Sequence, residues 1–244
     1  MPLLEVERLS KRFGGVRAVH DVSLTLDEGE LLGIMGPNGS GKTTLFNLIA
    51  GALRPDGGRI RLDGRDIAGR APHRVCASGI ARTFQLVRPF AGLSALENVL
   101  VGRLYGRARG GGSEAEARRL LALVGLAPRA DTPAARLTLI DRKRLELARA
   151  LATAPRVLLL DEFMAGLNPS ETASAMDLVR ALVAGGLTVL MVEHIVWALM
   201  DLARRIVVLS AGEKIADGVP SAVAADPRVV DVYLGKRDGW RAAT

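Results

Sequence analysis

The nine residues "GPNGSGKTT", Gly36–Thr44, fit the pattern G-x-x-x-x-G-K-[ST] of a phosphate-binding loop. They follow the apolar run "LLGIM" (Leu31–Met35), which predicts a central strand, and they lead into a helical pattern that begins at Lys42. A strand before the loop and a helix after it are the context that this motif requires. The stretch therefore predicts a nucleotide site within an α/β fold.

Glycines allow the loop backbone to curl so that its N–H groups face phosphate oxygens, and the N-terminus of the following helix adds favourable partial charge. Lys42 is expected to contact the β- and γ-phosphates, and Thr43 to bind Mg²⁺. The complete set of predicted phosphate-binding residues is Gly36, Pro37, Asn38, Gly39, Ser40, Gly41, Lys42, Thr43 and Thr44.

Downstream of Pro155, apolar strands alternate with helices. "RVLLL", "LTVLMV" and "RIVVLS" predict strands, and helices are expected at residues 170–184 and 195–203. Strands that are apolar throughout and joined by helices favour a parallel sheet covered on both faces. Near the N-terminus, "LLEVERLSKRF" and "VHDVSLTLDEGE" alternate in the manner of antiparallel strands.

The middle of the chain is mostly helical and is interrupted by "GRARGGGS" (Gly106–Ser113). We therefore expect an α/β protein with a P-loop NTPase (RecA-like) core, an antiparallel β subdomain and an inserted α-helical subdomain. The expected boundaries within one domain, residues 1–236, are a core at 1–90 and 155–220, a helical subdomain at 91–154, C-terminal helices at 221–236 and a tail at 237–244.

Composition narrows the class of protein. The chain has 244 residues and a single cysteine, Cys76, so an internal disulfide and a cysteine zinc cluster are excluded. Its apolar runs are shorter than the roughly 20 residues that span a bilayer. "MPLLEVERLSKRF" does not resemble a secretory signal, so we expect a cytosolic protein.

The formal charge of +7 is compatible with a nucleic-acid or anionic-membrane surface. The basic residues, however, are mostly arginines scattered along the chain, without a lysine-rich block or interleaved aromatic residues. We therefore expect no nucleic-acid partner.

Carboxylates and a histidine follow two of the predicted strands. "VLLLDE" ends in Asp161, expected to hold Mg²⁺, and Glu162, expected to activate the attacking water as a general base. His194 follows the strand "LTVLMVE", at the edge where open α/β sheets bind ligands, and is expected to approach the γ-phosphate. Gln85 in "RTFQ" ends another apolar stretch, although its position alone supports little.

The ordered set "GPNGSGKTT", "RTFQ", "RLELARAL", "VLLLDE", "GLNP" and "VEHI" resembles the ATP-binding subunit of ABC transporters over residues 1–236. Within that superfamily, "ARTFQLVRPFAGLSALENVLVG", "LARALATAPRVLLLDEFMAGLNPSE" and "VYLG" resemble the LivG-type subunit of branched-chain amino acid importers.

The resemblance implies roles for further residues. Phe13 would stack on adenine, and Gln85 would reach the metal and the attacking water and relay their state to a membrane partner. His194 would be the switch histidine. In "AGLN", through which two ATPase subunits contact each other, Asn168 replaces the usual aspartate, so a charged contact across the dimer becomes neutral.

The family's signature L-S-G-G-Q, which closes over ATP held by the other subunit, is altered here to residues 137–141, "LTLID". Thr138 keeps a hydroxyl that would contact nucleotide in trans, whereas Leu139 and Ile140 lose the glycines' close approach. Asp141 would repel phosphate unless it caps the helix. Arg142–Arg144 place three cations in the first turn of the helix, where the helix dipole disfavours them. This arrangement suggests a negatively charged neighbour. The resemblance implies that this neighbour is nucleotide bound in trans.

Two explanations of this alteration remain open. Either the helix N-terminus still suffices to bind the partner's nucleotide, with Arg142–Arg144 offsetting the lost contacts, or this half of the interface hydrolyses ATP poorly. We favour the second, in which the chain's own site is completed by a different, LivF-like ATPase subunit with an intact signature.

The expected function is an ATP-hydrolysing subunit, with ATP and Mg²⁺ bound, that energises uptake of branched-chain amino acids at the cytoplasmic face of the inner membrane. Its expected partners are two transmembrane permease subunits, contacted through residues 85–101, the second ATPase subunit and, indirectly, a periplasmic substrate-binding protein. Alternatives are import of urea, short amides or aromatic acids, a non-transport ABC ATPase, a GTPase or small-molecule kinase, and a non-catalytic binding module.

Overall fold

The structure is a computed structural model that describes residues 1–84, 87, 89–107 and 113–234. The strands within these residues are β1 (Leu4–Phe13), β2 (Val16–Leu26), β3 (Leu31–Met35), β4 (Gly57–Leu62), β5 (Arg65–Asp66), β6 (Ile80–Arg82), β7 (Val157–Asp161), β8 (Thr188–Val192), β9 (Arg205–Ser210) and β10 (Glu213–Gly218). The α-helices are α1 (Lys42–Ile49), α2 (Pro72–Ser78), α3 (Ala95–Tyr105), α4 (Glu114–Leu123), α5 (Leu139–Ala152), α6 (Pro169–Ala184), α7 (Val196–Leu202), α8 (Pro220–Ala225) and α9 (Pro227–Leu234).

The main sheet has the strand order β10-β9-β3-β8-β7-β6. Its strands from β9 to β6 pair in parallel, and β10 joins the edge antiparallel to β9. Alternate residues of one strand belong to different cores, since Leu158 and Leu160 pack in one hydrophobic cluster and Val157 and Leu159 in the other. Both faces are therefore covered, which is why these strands are apolar at every position.

A second sheet, in the order β2-β1-β4-β5, is wholly antiparallel. Its buried residues, among them Val6 and Ile60, share a core with Leu45 and Phe46 of α1. The sheet thus covers α1, which follows the P-loop. The fold class expected from the sequence, an α/β P-loop core with an antiparallel sheet and inserted helices, is confirmed.

Helices α3, α4 and α5 lie between β6 and β7 in the chain and pack against one another. A capping box starts α3, in which the Ser94 hydroxyl accepts the Glu97 N–H and the Glu97 carboxylate accepts the Ser94 N–H. Buried Asn98 then holds the preceding loop, donating to the carbonyls of Phe90, Leu93 and Ser94. This network holds residues 90–94, which lead directly into α3.

Four elements were not expected from the sequence, and the shortest is the two-residue strand β5. α2 and β6 lie in a stretch whose periodicity is too short to reveal them, and β10 is a half-exposed edge strand that a hairpin at Ala211 and Gly212 turns back onto β9. The "GRARGGGS" segment lies partly, and the tail at residues 237–244 wholly, outside the described residues.

Candidate active site

The carboxyl ends of three neighbouring parallel strands, β3, β8 and β7, meet at one edge of the main sheet. The P-loop follows β3, Asp161 and Glu162 come at the end of β7, and His194 comes just after β8. This edge is where open α/β sheets bind ligands. An open cleft of about 810 Å³ lies here, lined by Val16, Arg17, Ala18, Asn38, Gly39, Ser40, Gly41, Lys42, Thr43, Thr44, Glu162, His194 and Ala211.

Two P-loop glycines stand where no side chain fits. A Cβ at Gly36 would lie 2.2 Å from the carbonyl oxygen of Leu209, and one at Gly41 would lie 2.3 Å from that of Ala18. Both glycines also have positive φ, 151° and 104°. The loop backbone can therefore curl into a cradle for anions only with glycine at these positions. Buried within the cradle, the Ser40 hydroxyl has no hydrogen-bond partner.

Lys42 begins α1 and is buried beneath the loop. Its Nζ donates to the carbonyl oxygens of Gly36 at 2.7 Å and Pro37 at 2.9 Å. Burial lowers the pKa of Lys42, while the charges of Glu162 and Asp161 oppose that shift. The ammonium group is thus held at the floor of the cradle, where it can pair with phosphate.

Glu162 and His194 form a pair on the wall of the same cleft. His194 Nε2 lies 2.7 Å from Glu162 Oε1, and Glu162 is nearly buried whereas His194 is half exposed. Glu162 also has a φ of 50°, a conformation that is unfavourable for a residue with a side chain. Its backbone N–H donates to Val192 of β8, which fixes this conformation. A carboxylate so placed can accept a proton from a water molecule in the cleft.

Asp161 does not line the cleft, because its carboxylate is turned toward β6. Arg82 Nη2 donates to Asp161 Oδ2 at 2.6 Å, and both side chains are almost fully buried. The second terminal nitrogen of the guanidinium group, Nη1, donates to Asn47 Oδ1 of α1 at 2.5 Å. Arg82 therefore joins the end of β7 to the helix that follows the P-loop.

Apart from His194, the residues to which the family resemblance gave roles lie outside the cleft lining or outside the described residues. Phe13 is 49% exposed at the end of β1 and is not in the cleft lining, although its cross-strand partner Val16 is. Thr138 is the N-cap of α5, where its hydroxyl accepts the N–H of Asp141 at 3.3 Å. Gln85 lies outside the described residues.

The cations at the start of α5 have partners within this chain. Arg142 donates to the carbonyl of Ala135 at 2.7 Å, Arg144 donates to the Ser174 hydroxyl at 2.9 Å, and Lys143 is buried. Asp141 pairs with Arg129 at 3.4 Å. Thr138 rather than Asp141 caps the helix, and the negative neighbours of Lys143 are carboxylates of the same chain.

Several cleft residues were missed by the sequence interpretation. Val16, Arg17 and Ala18 approach from the antiparallel sheet, and Ala211 approaches from the hairpin between β9 and β10. No motif marks these positions, because each reaches the cleft through pairing between distant strands. Arg82 had one usable signal, a charge at the end of the apolar run "GIAR".

Among the helices in the described part of the chain, none combines the length and apolarity needed to cross a bilayer.

Comparisons with known proteins agree with this fold. A family model described as ABC transporter matches residues 19–165, and one described as branched-chain amino acid ATP-binding cassette transporter matches residues 213–239. The high-affinity branched-chain amino acid transport ATP-binding protein BraF of Pseudomonas aeruginosa is 40% identical over 96% of this chain and 98% of its own length. LivG of Escherichia coli, with the same description, is 37% identical over 96% of this chain and 98% of its own length.

Solved structures show the same fold. The ADP conformation of MJ1267, an ATP-binding cassette of an ABC transporter, superposes with a TM-score of 0.87 and 32% identity over 97% of this chain and all of that one. A dimeric post-hydrolysis state of the cassette MJ0796 bound to ADP and Pi gives a TM-score of 0.80 and 27% identity over 89% of this chain and 98% of that one.

Proposed function

The chain belongs to the LivG-type ATP-binding proteins of ABC transporters, a family of ATPases, and we propose that it hydrolyses ATP to drive the import of branched-chain amino acids. The solute assignment is supported by the names of BraF and LivG and by the match to the C-terminal family model.

One observation carries the catalytic part of this proposal, namely the Glu162–His194 pair on the wall of the cleft that the P-loop and Lys42 line. We assign Glu162 as the general base for water and His194 as its orienting partner near the γ-phosphate. Lys42 and the loop N–H groups would bind the phosphates, and Phe13 and Val16 would lie on the adenine side. Gln85 retains its proposed role toward metal and water.

Mg²⁺ fits the residues present. Within the described residues no group of three or more His, Cys, Asp or Glu side chains could hold a metal by itself. Mg²⁺ is commonly bound by one or two carboxylates together with substrate phosphates and water. Thr43 lines the cleft and would bind the ion there, and Asp161 would join it by releasing its ion pair with Arg82. When bound, the ion would neutralise charge on the phosphates.

The partners proposed are two permease subunits and a second, LivF-like ATPase subunit, with a periplasmic substrate-binding protein acting through the permeases. Residues 85–101 would contact the permeases, and residues 91–154 would form the helical subdomain. Large apolar side chains at and next to the contact stretch support a docking surface, since Phe84, Phe90, Leu104 and Tyr105 are exposed. These contacts would place the chain at the cytoplasmic face of the inner membrane.

Glu162→Gln tests the proposed function. The substitution keeps the size of the side chain and its contact with His194 but removes the basic oxygen, so kcat should fall by about 100-fold or more. ATP binding in the presence of magnesium should persist, and ATP should then hold two subunits together. Turnover is measured by phosphate release, binding by calorimetry and dimerisation by size-exclusion chromatography.

Two variants serve as controls. Lys42→Met removes the ammonium group beneath the P-loop and should weaken ATP binding itself, whereas Glu213→Gln changes an exposed carboxylate of β10 and should alter neither property. Normal turnover by Glu162→Gln would remove Glu162 from its role as base. Absence of nucleotide binding by the wild-type chain would refute the proposal as a whole.

A further inference from the structure

Three ionisable side chains are buried beside the cleft without lining it. Lys143 and Glu146 belong to α5, and Glu193 follows β8. They are 3%, 7% and 3% exposed. Charged groups are rarely buried unless they are paired or hydrogen-bonded, because desolvation is costly. We refer to these three residues as the buried charge cluster.

Both carboxylates of the cluster accept hydrogen bonds from backbone N–H groups of other segments. Glu146 Oε1 accepts the N–H of Phe84 at 2.7 Å, and Phe84 immediately precedes Gln85. Glu193 Oε1 accepts the N–H of Met164 at 2.8 Å, two residues after Glu162. Each hydrogen bond therefore ties one segment to the backbone of another segment, next to a residue with a proposed catalytic role.

Lys143 connects the two halves of the cluster. Its Nζ donates to the carbonyl oxygen of Glu162 at 3.4 Å, a long hydrogen bond. Burial lowers the pKa of Lys143, and the charges of Glu193, Glu146 and Glu162 oppose that shift. The ammonium group thus offsets the surrounding carboxylates in the interior.

We propose that Lys143, Glu146 and Glu193 are positioning residues that make α5 a structural part of the chain's own ATP site. Glu146 holds the backbone entering Gln85, while Glu193 and Lys143 hold the backbone on either side of Phe163. Because α5 begins beside Thr138, at the altered signature, a shift of that partner-facing end is passed through the cluster to Glu162. This inference rests on the proposed function.

Matched pairs of variants separate positioning from simple stabilisation. Gln at position 146 or 193 keeps an oxygen that can accept the backbone N–H, whereas Met has similar volume and no such acceptor. We expect Glu146→Met and Glu193→Met to lower kcat at least about tenfold. A fall of this size corresponds to the loss of about one hydrogen bond's worth of transition-state stabilisation. KM for ATP and the affinity for ADP should change by less than about threefold, because the P-loop is untouched. The Gln variants should stay within about threefold of wild-type kcat.

The measurements use the full chain, alone and in its transporter assembly, with steady-state ATPase kinetics, calorimetry with ADP and magnesium, and thermal unfolding. Equal kcat in the Met and Gln variants, or an effect confined to KM, would overturn the inference. If a Met variant does not fold, Lys143→Met is measured in its place. We expect this variant to have a lowered kcat and a normal affinity for ADP. An unchanged kcat would count against the role of the buried charge cluster.

These outcomes distinguish the inference from the proposed function. A wild-type chain without ATPase activity in any assembly would refute the proposed function. An active wild type with fully active Met variants would refute only the role of the buried charge cluster.

Discussion

At the scale of single residues, the burial of Glu193 makes the stability of the chain depend on pH. Burial raises the pKa of its carboxyl group to about 7, and the negative charge of Glu162 adds to the rise. The hydrogen bond from the Met164 N–H, the charge of Lys143 and the backbone of His194 act in the opposite direction and lower the pKa. The unfolded chain releases this proton at a lower pH than the folded chain does. The stabilising contribution is therefore complete below about pH 4.5 and is lost as the pH rises through about 7.

Glu193→Gln cannot ionise and should gain stability relative to wild type as the pH is raised. Between about pH 5 and 8, the difference in free energy of unfolding should shift in its favour by on the order of 2 kcal/mol. Urea unfolding of both proteins at the two pH values measures this shift, with the exposed Glu213→Gln as control. A difference that is the same at both pH values would contradict the buried carboxyl argument.

The residues of the candidate site differ in how far they could be predicted. Lys42, Glu162 and His194 each follow an apolar strand or open a helix in the sequence, and the structure brings all three to one cleft. The Arg82–Asp161 pair could not be predicted in the same way, because it depends on β6 lying beside β7. Strand order of this kind is set by packing of the whole sheet and leaves no local pattern.

At the scale of elements, the start of α5 shows how local chemistry can be misinterpreted. Considered alone, three cations in the first turn interact unfavourably with the helix dipole. In the fold, Arg142 and Arg144 turn to oxygen acceptors of neighbouring segments, and Lys143 turns inward to carboxylates. The helix itself was predictable from its periodicity, whereas the directions of its side chains were not.

The N-cap of α5 provides a test at this scale. Thr138→Ala removes the hydroxyl that accepts the N–H of Asp141 and should lower the free energy of unfolding by about 1 kcal/mol. Thr138→Ser keeps the hydroxyl and should retain most of that stability. Denaturant unfolding compares the three proteins. Stability of Thr138→Ala equal to that of wild type would show that the hydroxyl does not cap the helix.

At the scale of the whole molecule, the proposed mixed dimer depends on the altered signature at residues 137–141. Leu139 is 51% exposed where the family has glycine, and its side chain lies against Gly166 of the "AGLN" segment, since a Cβ on that glycine would be 3.5 Å from Leu139 Cδ2. In the proposed dimer, these branched side chains would hold a partner's phosphate away from the backbone N–H groups of α5. The chain's own P-loop cleft contains no such obstruction.

We therefore expect a mixed dimer with one competent site, formed by this chain's Lys42, Glu162 and His194 and an intact signature from the second ATPase subunit. Glu162→Gln in this chain should then abolish most turnover, about 100-fold, whereas the equivalent substitution in the partner should cost about twofold or less. Phosphate release by the two singly substituted assemblies measures the asymmetry, and nucleotide binding by both confirms that each site still fills. Equal losses from the two substitutions, or a homodimer of this chain turning over ATP at two equally active sites, would show that Leu139 and Ile140 do not impair the interface.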